Sequence, residues 1–299
     1  MGPASKEKKV MAGVFWHEGK WSTEEPKLLG PMDHAFWLGS IIFDGARAIR
    51  GLVPDLDLHC ARAVQSALNM AMKPTKTAAE IEALCREGVA MMPADAELYI
   101  RPQFFVRKGI GAAFPDPEST EFVLSIYDAP MPDHRVGFSA CMVPERRPAP
   151  DMAPTNAKAS ALYPNSSRAA ASARDRGFQN AVLCDFEGNV AEFATSNLML
   201  AKDGVVYTPV ANNTFLAGIT RTRVLKLLRE AGIDAREVKV TPQMLHEADE
   251  IFATGNFGKV QYCTNFEGRA LPIGPLGTKA RELYFAWAES TGRVLPKAA

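Results

Sequence analysis

The chain carries no surplus of either charge. Its 34 lysines and arginines are matched by 34 aspartates and glutamates, for a formal net charge of zero. Nucleic-acid-binding modules show a basic excess or stripe, because phosphate neutralisation dominates their affinity. The only basic cluster here is Lys6, Lys8 and Lys9, for which a solvated tail is the expectation. Cysteine is scarce: Cys60, Cys85, Cys141, Cys184 and Cys263 are odd in number, scattered, and form no CxxC pair. That pattern speaks against a disulfide framework and against a zinc ribbon. Free thiols in a reducing cytoplasm fit it, and a cytoplasmic protein is expected. No apolar run approaches the ~18 residues of a membrane span, and residues 1–15 lack the apolar core of a signal peptide.

Familiar catalytic signatures are missing as well. Gly137-Phe138-Ser139-Ala140-Cys141 lacks the second glycine of a nucleophile elbow. Gly109-Ile110-Gly111 begins a dinucleotide fingerprint but its third glycine is absent, and Gly255–Lys259 imitates a P-loop with its glycines too close together. None of the five histidines pairs with another at metal-ligand spacing, so no metal is expected.

What is present is an ordinary globular composition, 47% hydrophobic and 23% charged over 299 residues, enough for about two domains. Residues 11–58 read as strands and turns. Helical spacing marks 59–72 and 78–91, and strands are predicted at 97–106 and 121–127. Two proline-rich stretches follow, around 129–133 and 144–154, with a strand at 136–143 between them. Beyond them come a helix at 166–176, strands at 180–185, 190–193, 197–202 and 205–208, a helix stripe at 224–231, and a last helix starting after Thr278. Mixed strands and helices without a regular βαβ rhythm indicate two α+β domains. We place a small N-terminal domain at 1–127, an interdomain loop at 128–138, and a larger C-terminal domain at 139–299.

Several short pieces carry chemistry. Gly218-Ile219-Thr220 precedes a helix, where outward-pointing amides suit an anion, although such a piece also serves as an ordinary cap. Thr254-Gly255-Asn256 is a second small polar turn. Arg62 and Lys158 are surface charges by default, but Lys158 lies among small residues that would let a cofactor approach.

In order and spacing these fragments resemble the class IV, or fold-type IV, pyridoxal-phosphate aminotransferases, and among them the branched-chain amino-acid enzymes. The matching pieces are Phe43-Asp44-Gly45-Ala46-Arg47, His59-Cys60-Ala61-Arg62, Tyr99-Ile100-Arg101-Pro102, and Asn156-Ala157-Lys158-Ala159 with Tyr163. Glu192 with Ala194–Leu198, Leu216–Arg221, and Thr254-Gly255-Asn256 complete the set. The resemblance implies an α+β two-domain fold, pyridoxal 5′-phosphate as cofactor, and a homodimer. It implies Lys158 as the lysine that bonds to the cofactor's aldehyde, Arg62, Ile219, Thr220, Gly255 and Asn256 around its phosphate, Glu192 beneath the ring nitrogen, and Tyr163 beside the ring hydroxyl. Tyr99 and Arg101 are implied as the receivers of the substrate's α-carboxylate, with Phe43 and Leu38 as apolar walls. The activity implied is a ping-pong transfer from a branched-chain L-amino acid to 2-oxoglutarate. Alternatives on the same scaffold are an (R)-amine or D-amino-acid transaminase using pyruvate, and an aminodeoxychorismate lyase. The chain departs from the family pattern in three places. Leu38 stands where an aromatic is common, Asn256 where threonine or serine is frequent, and 126–130 lacks a frequent tryptophan.

Overall fold

Along Glu97–Val106 side chains alternate, with Leu98, Ile100 and Phe104 buried and Tyr99, Arg101 and Gln103 on the opposite side. A strand with this period buries one face and offers the other to a site. In the computed structural model, which describes residues 13–111 and 113–294, this strand lies inside a six-stranded sheet. The order is Lys20–Ser22, Gly13–His17, Thr120–Asp128, Glu97–Val106, and the last of these pairs with both Ile41–Phe43 and Ala46–Ile49. All the pairings are antiparallel. The helices Leu56–Asn69 and Ala78–Ala90 cover its apolar face through Cys60, Ala63, Ile81 and Cys85. Lys6, Lys8 and Lys9 lie outside the described residues.

The second sheet is nine-stranded and mixed. Its order is Val190–Phe193, Asn180–Cys184, Phe138–Arg146, Lys259–Phe266, Glu250–Gly255, Asn197–Lys202, Val205–Pro209, Ala235–Val238, with Arg269–Ala270 beside Lys259–Phe266. Two crossovers are parallel: Phe138–Arg146 joins Asn180–Cys184 through the helix Tyr163–Asp175, and Val205–Pro209 joins Ala235–Val238 through Ile219–Glu230. The last strand of the first sheet ends at Asp128 and the first of the second opens at Phe138. The chain's end returns to the first sheet's side, where Val294 N donates to Gly51 O at 2.8 Å.

Strands 97–106, 190–193 and 197–202 fall on the predicted residues. The differences have local causes. Residues 11–58 contain a helix, His34–Leu38, closed by Gly39 at φ 70. The helix expected from 59 opens at Leu56, because Asp55 at φ 55 turns the chain into it. Those expected from 166 and after 278 open at Tyr163 and Pro275, since a proline in the first helical turn lacks only an amide that had no partner there anyway. The strand expected to stop at Val143 continues through Pro144 to Arg146. It does so because the pairing register shifts there, and proline is tolerated at such a bulge.

The helix Pro275–Glu289 has no cap of its own at Gly274. Glu250, buried on the neighbouring strand, takes that part: its carboxylate accepts from Leu276 N at 3.0 Å and Gly277 N at 2.7 Å. Anions are favoured at this end of a helix. Glu250→Ala is expected to destabilise the fold by about 2–6 kcal/mol, since a buried and a half-buried amide, at about 1–3 kcal/mol each, lose their acceptor. Urea unfolding checks it, and a loss within about 0.5 kcal/mol, the scale of a surface substitution, would show that the amides find another partner.

Candidate active site

A cavity of about 790 Å³ is lined by both sheets. Arg62, Lys158, Tyr163, Glu192, Ile219, Thr220, Gly255, Asn256, Phe43, Tyr99 and Arg101 all line it. Leu38 is the exception. It ends the short helix His34–Leu38, is exposed, and does not border the cavity, so within one chain it forms no pocket wall.

Lys158 is fixed by its backbone before its side chain acts. Phe43 N donates to its carbonyl and its own N–H donates to Ser66 Oγ, both at 3.1 Å. The small residues around it have a second purpose, since Ala157 and Ala159 are fully buried in the core of the first sheet. The amine reaches into the cavity, 4.8 Å from the Phe43 ring centroid, and donates to the Tyr163 hydroxyl at 2.7 Å. Burial and then the nearby Arg62 charge lower its pKa, while Asp44, Tyr99 and Glu192 pull the other way. A lysine so placed moves toward the neutral amine that attacks a carbonyl. Burial, followed by Glu192 and Asp44, pushes the Tyr163 phenol up to about 12. It therefore stays protonated at neutral pH.

Arg62 is held by a buried triad. Its Nε donates to Asp44 Oδ2 at 2.6 Å and its Nη2 to Asp44 Oδ1 at 2.8 Å, while His59 Nδ1 lies 2.7 Å from the same carboxylate. Burial alone would raise the Asp44 pKa, but the Arg62 charge and the hydrogen bonds from Arg62 and His59 outweigh it. The carboxyl is held well below the usual range. The Arg62 guanidinium is thus pinned along one edge and keeps Nη1 for the cavity.

Glu192 lies mostly buried across the site. Arg147 Nε lies 3.3 Å from Oε1 and Asn197 Nδ2 donates to Oε2 at 3.3 Å. Burial raises its pKa to about 7, with Arg147 and Lys158 opposing. Such a carboxylate binds a proton-bearing ring nitrogen readily. Asn197 also donates to Leu216 O at 3.0 Å, and a Cβ at Gly218 would stand 2.0 Å from Asn197 Oδ1. Gly218 is therefore glycine for lack of room, and it opens the helix Ile219–Glu230 without a side-chain cap. The first amides of that helix keep their N–H groups free of intrahelical partners.

Close by, Thr254 Oγ1 and Asn256 Nδ2 are buried and have no hydrogen-bond partner among the described residues. Both residues line the cavity. Unsatisfied buried polar atoms are costly, and a phosphate brought against Arg62, the uncapped helix and this turn would accept from them. The residues present fit a phosphate-bearing cofactor.

Tyr99 and Arg101 sit on the exposed face of the strand Glu97–Val106. A Cβ at Gly45 would lie 2.1 Å from the Tyr99 hydroxyl, so the glycine of the Phe43-Asp44-Gly45 piece makes room for that phenol. The structure adds Tyr127, which no motif marked. Its ring stacks on Tyr99 with centroids 5.6 Å apart, and its hydroxyl accepts from Arg101 Nη2. Strand register alone brings this pair together, Tyr99 opposite Tyr127. Arg147 was also missed, because it lies in a proline-rich stretch that reads as a connector, and Lys259 because it stood in an imitation P-loop.

Asp44→Asn leaves Arg62 buried and half-paired, and breaking a buried ion pair costs about 3–5 kcal/mol. Because the folded carboxyl has a depressed pKa, its stabilisation is complete above the ordinary carboxylate range and is lost as acid titrates it. The gap in urea-unfolding stability between parent and Asp44→Asn is expected to be full at about pH 7 and to shrink below about pH 4. A gap independent of pH would contradict this account.

Comparison with known proteins shows the family. The family model for amino-transferase class IV matches residues 41–266. The branched-chain-amino-acid aminotransferase of Escherichia coli (strain K12) is 28% identical over 285 residues, 92% of each chain. An aminotransferase structure from Brucella abortus bound to the cofactor PLP superposes with a TM-score of 0.91 at 44% identity, covering 93% of this chain and 99% of that one. A branched-chain aminotransferase from Thermoproteus uzoniensis with norvaline superposes at 0.85 with 29% identity, covering 93% and 95%. With the family pattern spanning most of its length and these neighbours sharing its fold, the chain belongs to the class IV aminotransferases.

Proposed function

We propose that this transaminase moves an amino group from a branched-chain L-amino acid to 2-oxoglutarate in two half-reactions. Pyridoxal 5′-phosphate is its cofactor, and when bound it supplies an aldehyde and an electron-accepting ring. One observation carries the reading. A desolvated lysine amine, a buried carboxylate and an arginine-bearing strand face a single cavity whose polar turn has orphaned donors.

Each residue then has its part. Lys158 would hold the cofactor through its amine, condensing with the aldehyde and releasing water, and as a free amine would accept and return a proton as general acid and base. Glu192 would hold the proton on the ring nitrogen, and Tyr163 would meet the ring hydroxyl. Arg62 Nη1, the Ile219 and Thr220 amides, and the Gly255-Asn256 turn bind the phosphate. Arg101, steadied by Tyr127, takes the α-carboxylate of either substrate together with Tyr99, while Phe43 offers an apolar wall to an aliphatic side chain.

We also propose that the two sheets are the two domains, joined by 128–138, and that the chain works as a homodimer in a reducing compartment. All the cysteines are buried free thiols. Among the described residues no helix is long and apolar enough to cross a membrane. Met32 at 87% exposure, Phe36 at 62%, Trp37 at 57%, Ile110 at 58% and Phe114 at 75% lie on adjoining segments, with His34 Nε2 3.2 Å from Ala113 O. Apolar side chains gathered like this mark a protein contact, and Leu38 belongs to the same patch.

Purified enzyme given leucine and 2-oxoglutarate is expected to yield glutamate. Lys158→Ala is expected to lower turnover by at least about 10²–10⁴-fold, the range for a positioned proton-transfer group. Turnover of (R)-1-phenylethylamine or D-alanine with pyruvate, and none of leucine, would reassign the substrate. Pyruvate release from aminodeoxychorismate without an oxo acid would make it a lyase. Tyr127→Phe keeps the stacked ring but frees Arg101. A hydrogen bond to a charged group is worth about 1.5–3 kcal/mol, so KM for the amino acid is expected to rise about 10-fold with kcat much less changed. An unchanged KM would show that Arg101 needs no such support.

A further inference from the structure

The hairpin that carries the phosphate turn is closed by a lysine in an unusual place. Gly255 pairs with Lys259 across the loop Asn256-Phe257-Gly258, and Lys259 adopts φ 60, a left-handed conformation uncommon for any residue but glycine. Its side chain is 1% exposed, and among the described residues no carboxylate forms an ion pair with it. The amine lies 5.6 Å from the Tyr284 ring centroid, and its hydrogen bond goes to Asn256 Oδ1 at 2.7 Å. A buried lysine amine at a strained backbone position is an expensive way to make one hydrogen bond.

The chemistry of the partner explains the expense. A carboxamide has an accepting end and a donating end, and nothing in its shape distinguishes them. The Lys259 amine, whose pKa burial and then the Arg47 charge lower to about 7, donates to Asn256 Oδ1, and in its ammonium form it can only donate, so it selects the oxygen of Asn256. The NH₂ end is thereby left facing away from Lys259, buried, with no partner among the described residues, in a residue that lines the cavity. Threonine or serine in this turn needs no such help, because a hydroxyl rotates to donate. With asparagine there, an amide turned the other way would set its carbonyl oxygen against the phosphate.

We infer that Lys259 is a positioning residue which orients the Asn256 carboxamide so that its NH₂ group donates to the cofactor's phosphate. The inference rests on the proposed reading of the 254–256 turn as a phosphate site. It makes the lysine and the asparagine a matched pair. Lys259 matters only while an asparagine stands at 256.

The test is equilibrium titration of the cofactor-free full chain with pyridoxal 5′-phosphate, followed by fluorescence, with circular dichroism confirming the fold of each variant. Asn256→Ala is expected to weaken binding about 10-fold or more, the loss of one donor to an anion. Lys259→Met is expected to weaken it by a similar factor in the parent. In an Asn256→Thr background Lys259→Met is expected to change it less than about 2-fold. Lys259→Gln, one bond shorter and out of reach of Asn256, carries the same comparison should Lys259→Met not fold. An equal loss in both backgrounds would overturn orientation in favour of a plain charge effect, and no loss in the parent would overturn it outright. If Asn256→Ala itself binds normally, the phosphate reading of this turn fails and the inference with it.

Discussion

Everything in this site depends on removing charges from water without leaving them all satisfied. Lys158, Glu192, Arg62 and Asp44 are enclosed together, and burial is the leading influence on each. A single enclosed ion at this depth would neutralise itself. Here the penalties are distributed. Asp44 and Arg62 compensate each other fully and stay ionised, Glu192 is only partly compensated by an arginine 3.3 Å away, and Lys158 faces a cation without a carboxylate in contact. Asp44 and Arg62 are closely paired, whereas Glu192 and Lys158 keep shifted pKa values, and such differences are how neighbouring titratable residues acquire different parts.

The two-sheet architecture makes that distribution possible. Asp44 and Arg62 belong to the first sheet's side, Glu192 and Arg147 to the second, and Lys158 lies on the segment between them, tied to the first through Phe43 and Ser66. Each half brings its own ion pairing, complete at Asp44–Arg62 and partial at Glu192–Arg147, so the lysine lies between a fully paired surface and a partly paired one. Its position therefore follows from backbone hydrogen bonds, not from a competition among charges for its amine.

The fold was legible wherever a period repeats. The strand Glu97–Val106 and the helix Ala78–Ala90 announce themselves through aromatic and β-branched content and through Ile81, Leu84 and Cys85 on one helical face. The residues resembling a family pattern were legible as well, because short rigid pieces such as Asp44-Gly45 and Gly218-Ile219-Thr220 must keep their identity to keep their shape. Partners across the sheets were not. Tyr127 meets Tyr99 through register, Arg147 meets Glu192 after 45 residues of chain, and neither distance leaves a local trace. Leu38 was implied by the resemblance alone, and within this chain it ends a five-residue helix and does not border the cavity.

Arg47 shows how far such invisible partnerships reach. It is fully buried and carries the phosphate turn on one arm, donating from Nε to Asn256 O at 3.2 Å and from Nη1 to Ala129 O at 2.5 Å. Both acceptors are backbone carbonyls, one at the end of the first sheet's last strand and one in the second sheet's hairpin. A guanidinium keeps its proton even where burial lowers its pKa, as it does here, so using it on neutral carbonyls leaves its charge uncancelled. The surplus positive charge lies against the 254–256 turn, and the two hydrogen bonds tie that turn to the segment that follows the strand Thr120–Asp128. The same residue that costs the fold a desolvated cation therefore holds the second sheet's hairpin against the first sheet.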